Sequence, residues 1–583
     1  MTKLYKAHHK RLKIILFFIL SFISINAFKT IYIQVFKNED KQIDMQIQKK
    51  GDRGTIYDRN NQKLAYDIDV YDIYVEGLSD YEANRIFNSY NLALTKTKNN
   101  KYLIESVSYH IIEMLDEVFK NNPKITKSVK YKGRYYPEKD LASQLIGRFS
   151  DKNDTIGMWG IERIMNKKLK AQSGFLKYLV TPRGSKQKNY SNNEYLELSG
   201  QDIKLTIDIG YQRILEQELM SQLKITNSES ANGLIVNPYT GEVLALASVP
   251  TADLNKKLPN IEFIKDYVCQ FSYEPGSTLK PFSILAGIKN GSIDLSDKYY
   301  CENGKYKVPE LRRKPVVDHD PYDTLSVKEI LAHSSNIGLV KISSDIGKQD
   351  IFNTFKSVGF GQNTGIDSYY ENSGLLIDLA KWDDHSLITI PIGQGRINVT
   401  NLQIAMAYSA IANGGYLLKP KIIIEDNNKN EPEVIREIAN STNIELLVES
   451  LKMVVTDGTA ASVMKNNEVC SYGKTGTAQV WVQAEKFEDK NGNNKWNEGE
   501  PYIDENQNST YDKARYSKTD FISSYAGVFP CDRPELVCVI SFIHPDKDKK
   551  WASQSAVPAF NEILNRVLNE DTNLSFKIEN EAR

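Results

Sequence analysis

The sequence predicts an α+β protein tethered by a single N-terminal helix, and three observations carry that expectation. Two pairs of short strand-like runs are each joined by a turn. Residues 233–237 and 242–249 flank Pro238-Tyr239-Thr240-Gly241, and residues 521–529 and 536–543 flank Asp532-Arg533-Pro534-Glu535. Around them stand amphipathic runs of helical period, at 211–223 and through Leu446, Leu447, Leu451 and Val454, the second opened by a capping-box candidate at Thr442–Glu445. At the front, a long apolar tract follows a basic tail. The chain has 583 residues, 41% of them apolar, enough for roughly two to four domains. Its 74 basic and 74 acidic side chains cancel, which argues against a nucleic-acid binder.

Residues 1–13 hold Lys3, Lys6, Lys10, Arg11 and Lys13 and no acid. Residues 14–35 form the expected membrane span. They are almost wholly apolar from Ile14 to Phe28 and greasy again from Ile31. A helix over 12–35 is long enough to cross a bilayer, with Lys29 snorkelling to the far interface. The basic tail then stays cytoplasmic and the rest lies outside. A signal peptide cleaved near Ala27 is the competing reading; apolar character beyond that point favours an uncleaved anchor.

Residues 36–202 are expected to form one domain and 203–583 another. Within the first, Asn60-Asn61 reads as a polar turn and Asp69–Val75 as an alternating strand. The pattern changes at Gln201–Asp208, a short strand leading to the helix at 211–223, which lines up Ile214, Leu215, Leu219 and Leu223. Farther on, Pro275-Gly276 marks a turn, and the apolar run 279–288 a buried helix ending at Gly291. Ser277 then sits in the first turn, where unpaired N–H groups and the helix dipole favour a developing negative charge. Lys280, three residues on, returns to the same face with its amine beside the Ser277 hydroxyl. A desolvated lysine can lose its proton and serve as a base toward serine.

Ser-x-x-Lys alone is weak, since it recurs at Ser185, Ser221, Ser462 and Ser471. Its company strengthens it. Ser334-Ser335-Asn336 follows a helical run at 325–331. Lys474-Thr475-Gly476-Thr477 then opens a β-branched stretch that reads as an edge strand lining a groove. Lys474, Thr475 and Thr477 offer a cation and donors to a carboxylate, and an extended peptide can pair along such an edge.

Ser-x-x-Lys, Ser-x-Asn and Lys-Thr-Gly in this order are the signature of class A β-lactamases and penicillin-binding proteins. Arg53-Gly54-x-Ile56-x-Asp58-Arg59, Arg134-Tyr135-Tyr136-Pro137, Leu145-Ile146-Gly147 and Gly157-x-x-Gly160-Ile161-Glu162 extend the likeness. From Arg53 to Phe560 the chain resembles a class B penicillin-binding protein, a peptidoglycan D,D-transpeptidase. That resemblance implies a penicillin-binding transpeptidase (β-lactamase-like) domain at 203–583, with a mostly antiparallel sheet flanked by helices. It also implies an elongated pedestal of the dimerisation type at 36–202. Ser277 is implied as the nucleophile, Lys280 as the acylation base, and Ser334 as a proton relay near Lys474. Asn336, Thr475, Gly476 and Thr477 would bind substrate, and the N–H groups of Ser277 and Thr477 would form the oxyanion hole. The mechanism needs no histidine, so His319 and His333 are expected to be structural.

The implied partners are peptidoglycan stem peptides, β-lactams, the membrane, a SEDS-type glycosyltransferase and other divisome proteins. No cofactor is required. The implied location is the inner membrane, single-pass, with a periplasmic catalytic domain. Tyr273-Glu274-Pro275-Gly276-Ser277 and the 157–162 motif look closer to the septal, FtsI-type branch than to the elongation branch. The rivals are a β-lactamase or D,D-carboxypeptidase, which sends the acyl-enzyme to water, and a non-catalytic sensor or scaffold; a lone β-lactamase would need neither anchor nor pedestal. Intact Ser277, Lys280 and Lys474 argue against the scaffold.

Residues 485–515 form an inserted polar loop with a short tandem repeat. Asp489-x-Asn491-x-Asn493 returns fifteen residues later as Asp504-x-Asn506-x-Asn508, and Trp496 as Tyr511. Counting Asp489 as position 1, oxygen side chains fall at 1, 3, 5, 9 (Asn497) and 12 (Glu500), as in an EF-hand calcium loop. Position 6 carries Asn494 where glycine is expected, and position 12 of the second copy carries Arg515. A polar surface loop between two strands is the plainer reading, and a structural calcium held by Asp489, Asn491, Asn493, Asn497 and Glu500 is the alternative. The five cysteines are too scattered for a zinc spacing. Cys531 and Cys538 flank a turn and are candidates for a disulfide, although free buried cysteines are commoner.

Overall fold

The computed structural model describes residues 2–35, 43–90, 92–97, 101–149, 156–180, 186–188, 198–256, 258, 260–308, 315–367, 370–425, 431–504 and 509–570. Two compact units emerge, one from residues 1–54 with 170–201, the other from residues 55–169 with 202–583. The expected pedestal segment is thus divided between them.

In the first unit, one helix runs from Thr2 to Val35, and its stretch His8–Ile33 is long and apolar enough to cross a membrane, with none of it buried. The strand Ile43–Lys50 pairs antiparallel with Ser173–Val180, which also pairs with Lys186–Lys188.

The second unit begins with a sheet centred on the strand Lys63–Val75, which pairs with Tyr102–Ser108 on one side and Ile125–Tyr135 on the other. The turn before it is built by Asp58, whose buried carboxylate accepts the N–H groups of Asn60 and Gln62 (2.8 and 2.7 Å). Arg59 leaves the same turn to ion-pair with Glu242 at 3.3 Å. Two of the sequence motifs meet here. Arg134 is buried between Glu162 (2.7 Å) and Asp67 (3.1 Å). Such a buried group is costly to break, about 3–5 kcal/mol, because one charge would be left without its partner.

The rest of this unit is a five-stranded antiparallel sheet between two helical layers. Its strands are β1 (Ser230–Val236), β2 (Val243–Val249), β3 (Tyr472–Val482), β4 (Arg515–Phe529) and β5 (Leu536–Ile543), in the order β2-β1-β5-β4-β3. Alternate residues of β1 and β5 enter opposite layers, as the two-residue strand period requires. Ile235, Ile540 and Phe542 meet α1 (Ile209–Thr226) and the C-terminal helix at 556–570. Leu234, Val236, Val537 and Val539 belong to the other core. That core holds α2 (Lys280–Asn290), α3 (Val327–His333), α4 (Asn336–Ile346) and α5 (Asn401–Ala412). Every residue of α5 is buried, so it is the central helix.

Two local expectations are corrected. The helix α6 (Ser441–Thr456) is capped by Asn440, whose side chain accepts the Asn443 N–H, and not by Thr442. Asparagine is among the best N-caps, so the helix starts earlier. The disulfide joins Cys531 to Cys470, with Cα atoms 5.3 Å apart, and Cys538 is free and buried. Cys538 points into the α1 layer while Cys531 packs with the opposite core, so a local bridge is excluded by the sheet itself. Pairing of Tyr472 with Val528 brings the start of β3 beside the end of β4, and Cys531 N–H donates to the Cys470 carbonyl at 3.0 Å.

The bond ties the strand carrying Lys474 to the β4–β5 turn. Cys470→Ser in the full-length protein should therefore lower unfolding stability by about 2–4 kcal/mol, read from the urea midpoint under oxidising conditions. An unchanged midpoint would mean that the bridge does not form.

Candidate active site

The cleft is assembled from three short segments, each fixed by its own local chemistry. The first is the turn carrying Ser277. Tyr273 exchanges backbone hydrogen bonds with Val399, and its hydroxyl donates to Asn401 at 2.6 Å. A 3-10 turn spans Gly276–Leu279 and runs directly into α2, with Lys280 its first residue and Pro281 next, where a missing N–H costs nothing. In such a turn side chains three apart eclipse, which sets Lys280 above Ser277. Gly276 donates to the Gly393 carbonyl at 2.9 Å, and a Cβ on Gly393 would lie 2.0 Å from the Gly276 oxygen. The loop 393–395 therefore buttresses the turn backbone against backbone.

The second segment is the corner between α3 and α4. A capping box of Ser326 and Glu329 starts α3, which ends at Ser334 in the left-handed conformation (φ +62°). Ser335 then caps α4, accepting the Gly338 N–H at 3.0 Å. The buried carboxylate of Asp318 pins this corner, accepting the Ser335 hydroxyl (2.6 Å) and the N–H groups of Asn336 (2.5 Å) and Ile337 (3.1 Å).

The third segment is β3, at the edge of the sheet. A Cβ on Gly476 would lie 2.5 Å from Ser524 Oγ and 3.0 Å from the Pro275 carbonyl, so only glycine lets this strand lie against the Ser277 turn. Thr475 Oγ1 is 2.6 Å from Thr459 Oγ1, and Thr477 Oγ1 accepts the Ala552 N–H at 3.4 Å.

These segments bring Ser277, Lys280, Ser334, Asn336, Lys474, Thr475, Gly476 and Thr477 into one cleft. Lys280 is fully buried and donates to the Ser334 carbonyl (2.7 Å), Ser334 Oγ (3.3 Å) and Asn336 Oδ1 (2.7 Å). None of its hydrogen bonds reaches Ser277, contrary to the expected Ser277–Lys280 contact: the amine turns to the corner that supplies three acceptors. Burial pushes Lys280 down to about 7, with Asp318 pulling the other way. Lys474, equally buried, donates to the Thr475 carbonyl (3.1 Å) and hydroxyl (3.3 Å). Burial first, and the positive charge of Lys280 second, hold Lys474 well below the ordinary lysine range.

Sequence reasoning missed Asp318, which lies outside every motif and acts from a separate loop. His319 packs edge-on against Trp551 (4.6 Å) and His333 stacks on Tyr322 (5.3 Å). In the inserted loop, the Asp489 carboxylate accepts the N–H groups of Gly492 (2.8 Å), Asn493 (3.2 Å) and Asn494 (2.6 Å). Glu500 accepts those of Lys490 (3.1 Å) and Asn497 (2.8 Å). Asn494 takes the left-handed conformation (φ +58°) that position 6 demands, and Ser509 does so in the second copy (φ +61°). Asn506 and Asn508 lie outside the described residues. No three His, Cys, Asp or Glu side chains converge for a metal among the described residues. A cation here would thus rest on two carboxylates, each with lone pairs beyond its N–H bonds, and on the amide oxygens of Asn491, Asn493 and Asn497.

An antiparallel sheet between helical layers, with this three-segment cleft at its free edge, defines a class, the penicillin-binding transpeptidase fold. The penicillin binding protein transpeptidase domain matches residues 233–565, and the penicillin-binding protein dimerisation domain residues 48–205. The chain belongs to the class B penicillin-binding protein family. It is 26% identical over 546 residues to stage V sporulation protein D of Bacillus subtilis, spanning 89% of this chain and 78% of that protein. It is 26% identical over 549 residues to peptidoglycan D,D-transpeptidase FtsI of Buchnera aphidicola subsp. Schizaphis graminum, spanning 89% and 86%. A solved structure described as coordinating polymerization and crosslinking in a peptidoglycan synthase complex shares the fold at TM-score 0.70 and 21% identity, over 97% of this chain and 99% of that one.

A base must be neutral to accept a proton, so acylation of the full-length protein by a fluorescent penicillin should rise with pH through about 7 and then level off. Asp318→Asn removes the anion that favours charged Lys280, so its midpoint should move to lower pH. A wild-type rate flat across this range would dismiss Lys280 as the base.

Proposed function

We propose that this chain is a peptidoglycan D,D-transpeptidase that cross-links stem peptides through a serine acyl-enzyme, at the division septum. The observation that carries the reading is a serine in the turn that leads into buried Lys280, with a second buried lysine, Lys474, on the free strand edge that packs against that turn. In the proposed reaction a stem lies along β3, its terminal carboxylate at Lys474, Thr475 and Thr477. That carboxylate supplies the negative charge that allows Lys474 to hold its proton.

Ser277 Oγ attacks the carbonyl of the penultimate D-alanine while its proton moves to neutral Lys280, whose hydrogen bonds tighten once substrate is bound. The carbonyl electron pair moves onto oxygen, held by the N–H groups of Ser277 and Thr477. On collapse the C–N bond breaks, and the departing D-alanine amine takes a proton from Lys280 through Ser334. The amine of a second stem then attacks the ester, giving its proton to Lys280. Ser277 Oγ leaves, takes that proton back, and a new amide remains as the cross-link.

The apolar N-terminal helix supports an anchor in the inner membrane with the catalytic region on the extracytoplasmic side. The Cys470–Cys531 disulfide supports the same placement, because such bonds persist in oxidising compartments. The FtsI relative and the Tyr273–Ser277 motif favour a septal role over elongation, and the synthase-complex likeness favours a SEDS-type glycosyltransferase partner.

Ser277→Ala should abolish penicillin labelling of the full-length protein with its circular dichroism unchanged. Wild-type protein given pentapeptide stems and an amine acceptor should release D-alanine into cross-linked product. Release without cross-linking would support hydrolysis instead. Depletion in a rod-shaped host should give filaments, whereas rounded cells would assign the elongation role. A structural calcium held by Asp489, Asn491, Asn493, Asn497 and Glu500 is a separate part of the proposal. Chelator should lower Tm, calcium should restore it, and Glu500→Gln should block the rescue; a Tm indifferent to chelator would leave this segment a polar loop.

A further inference from the structure

Beneath the Ser277 turn, polar side chains lie where a core normally carries leucine and valine. Ser248 pairs with Asn232, Asn232 with Ser541, Ser541 with Ser524, and Ser524 with Gly476. These residues form one rung that crosses every strand of the sheet, from β2 at one edge to β3 at the other. Ser248, Asn232, Ser541 and Ser524 are all buried. They stand on the face that meets α2 and α5, since Leu234 and Val539, two positions along their strands, belong to that core.

The segment that leads to Ser277 is laid along this rung and fastened to it. At one end the Tyr267 N–H donates to Ser248 Oγ at 3.0 Å. Midway, Asn401 Oδ1 accepts the hydroxyls of Tyr273 (2.6 Å) and Ser541 (3.0 Å), whose oxygens lie 2.9 Å apart. Asn401 Nδ2 donates to Asn232 Oδ1 at 2.7 Å. At the other end Gly476 meets the Pro275 carbonyl, a contact that a Cβ would obstruct. Asn401 is the first residue of the central helix α5, so one amide ties the segment, two strands and that helix to one point.

Burying a hydroxyl or an amide costs free energy unless each finds its partner, a condition that leucine does not impose. Apolar contact has no direction, so a segment lying on leucines would slide along the sheet with little penalty. Hydrogen bonds demand both a length and an angle, and they give the segment one position. That position matters most where the rung runs out. Neighbouring strands are about 4.8 Å apart, and the Ser277 turn begins at the last of them. A shift along the rung therefore changes the separation of the Ser277 and Thr477 N–H groups directly.

We infer that Tyr273 and Asn401 are positioning residues for the acyl transfer: their hydrogen bond sets the Ser277 turn along the polar rung and so fixes the width of the oxyanion hole. The inference rests on the transpeptidase reading. Burial pushes the Tyr273 hydroxyl up to about 12, so it stays a donor throughout the range in which Lys280 titrates.

The test is Tyr273→Phe in the full-length protein, which removes one oxygen and leaves Asn401 Oδ1 its bond from Ser541. The probe is a fluorescent penicillin. Ser277 Oγ forms an ester with the lactam carbonyl, the lactam C–N bond breaks, and the ring nitrogen takes up the serine proton. Stopped-flow traces, scaled to the number of sites that finally label, divide the reaction into a binding constant and an acylation rate constant. The rate constant should fall about tenfold, less than the roughly hundredfold that loss of a whole oxyanion donor brings. The binding constant should hold, because the hole acts chiefly on the transition state. The pH midpoint at about 7 should hold too, because no hydrogen bond of Lys280 reaches either residue. Asn401→Ala removes the same contact from the other side, so the double variant should acylate no more slowly than Asn401→Ala alone.

A purely structural role would lower Tm and leave the rate constant per labelled site at the wild-type value, which would overturn the inference. So would a binding constant or a pH midpoint that moves with the rate, since the whole pocket would then have loosened. Two single effects that multiply in the double variant would overturn it as well. Should Asn401→Ala not fold, Tyr273→Phe decides alone. Wild-type protein that penicillin does not label would overturn the transpeptidase reading itself, and the inference with it.

Discussion

Two lysines share one dry pocket, and much of the catalytic region can be understood as the means of keeping them there. Out of water each amine holds its proton less tightly, and the positive charge of Lys280 lowers Lys474 further. The pocket survives because every remaining polar contact is supplied. The Ser334 carbonyl and the Asn336 amide take the hydrogen bonds of Lys280, and the Thr475 carbonyl and hydroxyl take those of Lys474. Asp318, two bonds away, fixes the corner and lends a compensating field. The outcome is a buried amine brought down to about 7 by desolvation against the pull of Asp318, one step along the chain from the Ser277 turn.

That packing explains why glycine recurs at the contacts between segments. Gly276 against Gly393, and Gly476 against Pro275, are places where main chain meets main chain with no room for a Cβ. A methyl group at either would part the Ser277 turn from its support or from the edge strand. The site is thus held to a fraction of an ångström by backbone, which is stiffer than side chains.

Much of this was legible in the sequence because it is local. Pro275-Gly276 followed by an apolar run specified the turn and α2, and the hairpin turns specified β1–β2 and β4–β5. What depended on sheet order was not legible. Cys470 and Cys531 meet only because β3 lies beside β4, and the nearer pair, Cys531 and Cys538, is separated by the faces of the sheet. Asp318 reaches its corner from a loop well upstream, and nothing in its neighbourhood marks it as a cap for α4. The direction taken by the Lys280 amine was hidden for the same reason, since helical spacing fixes where a side chain starts and not which acceptors compete for its end. Tyr273 was visible as a motif letter, but Asn401 and Ser541, which hold its hydroxyl, arrive from more than one hundred residues away.

The first residues of β3, Tyr472–Gly476, are buried even though the strand is the last of its sheet. An outermost strand normally presents a row of unpaired backbone groups that any second chain can extend, which makes it a seed for aggregation. Here that row lies at the bottom of a cleft walled by the Ser277 turn, the Ser334 corner and the segment at Ala552. A few residues of flexible chain can descend to it; a pre-formed strand of another molecule, bound to its own sheet, cannot. The recess therefore admits guests by thickness, and protein surfaces are turned away before any side chain is read.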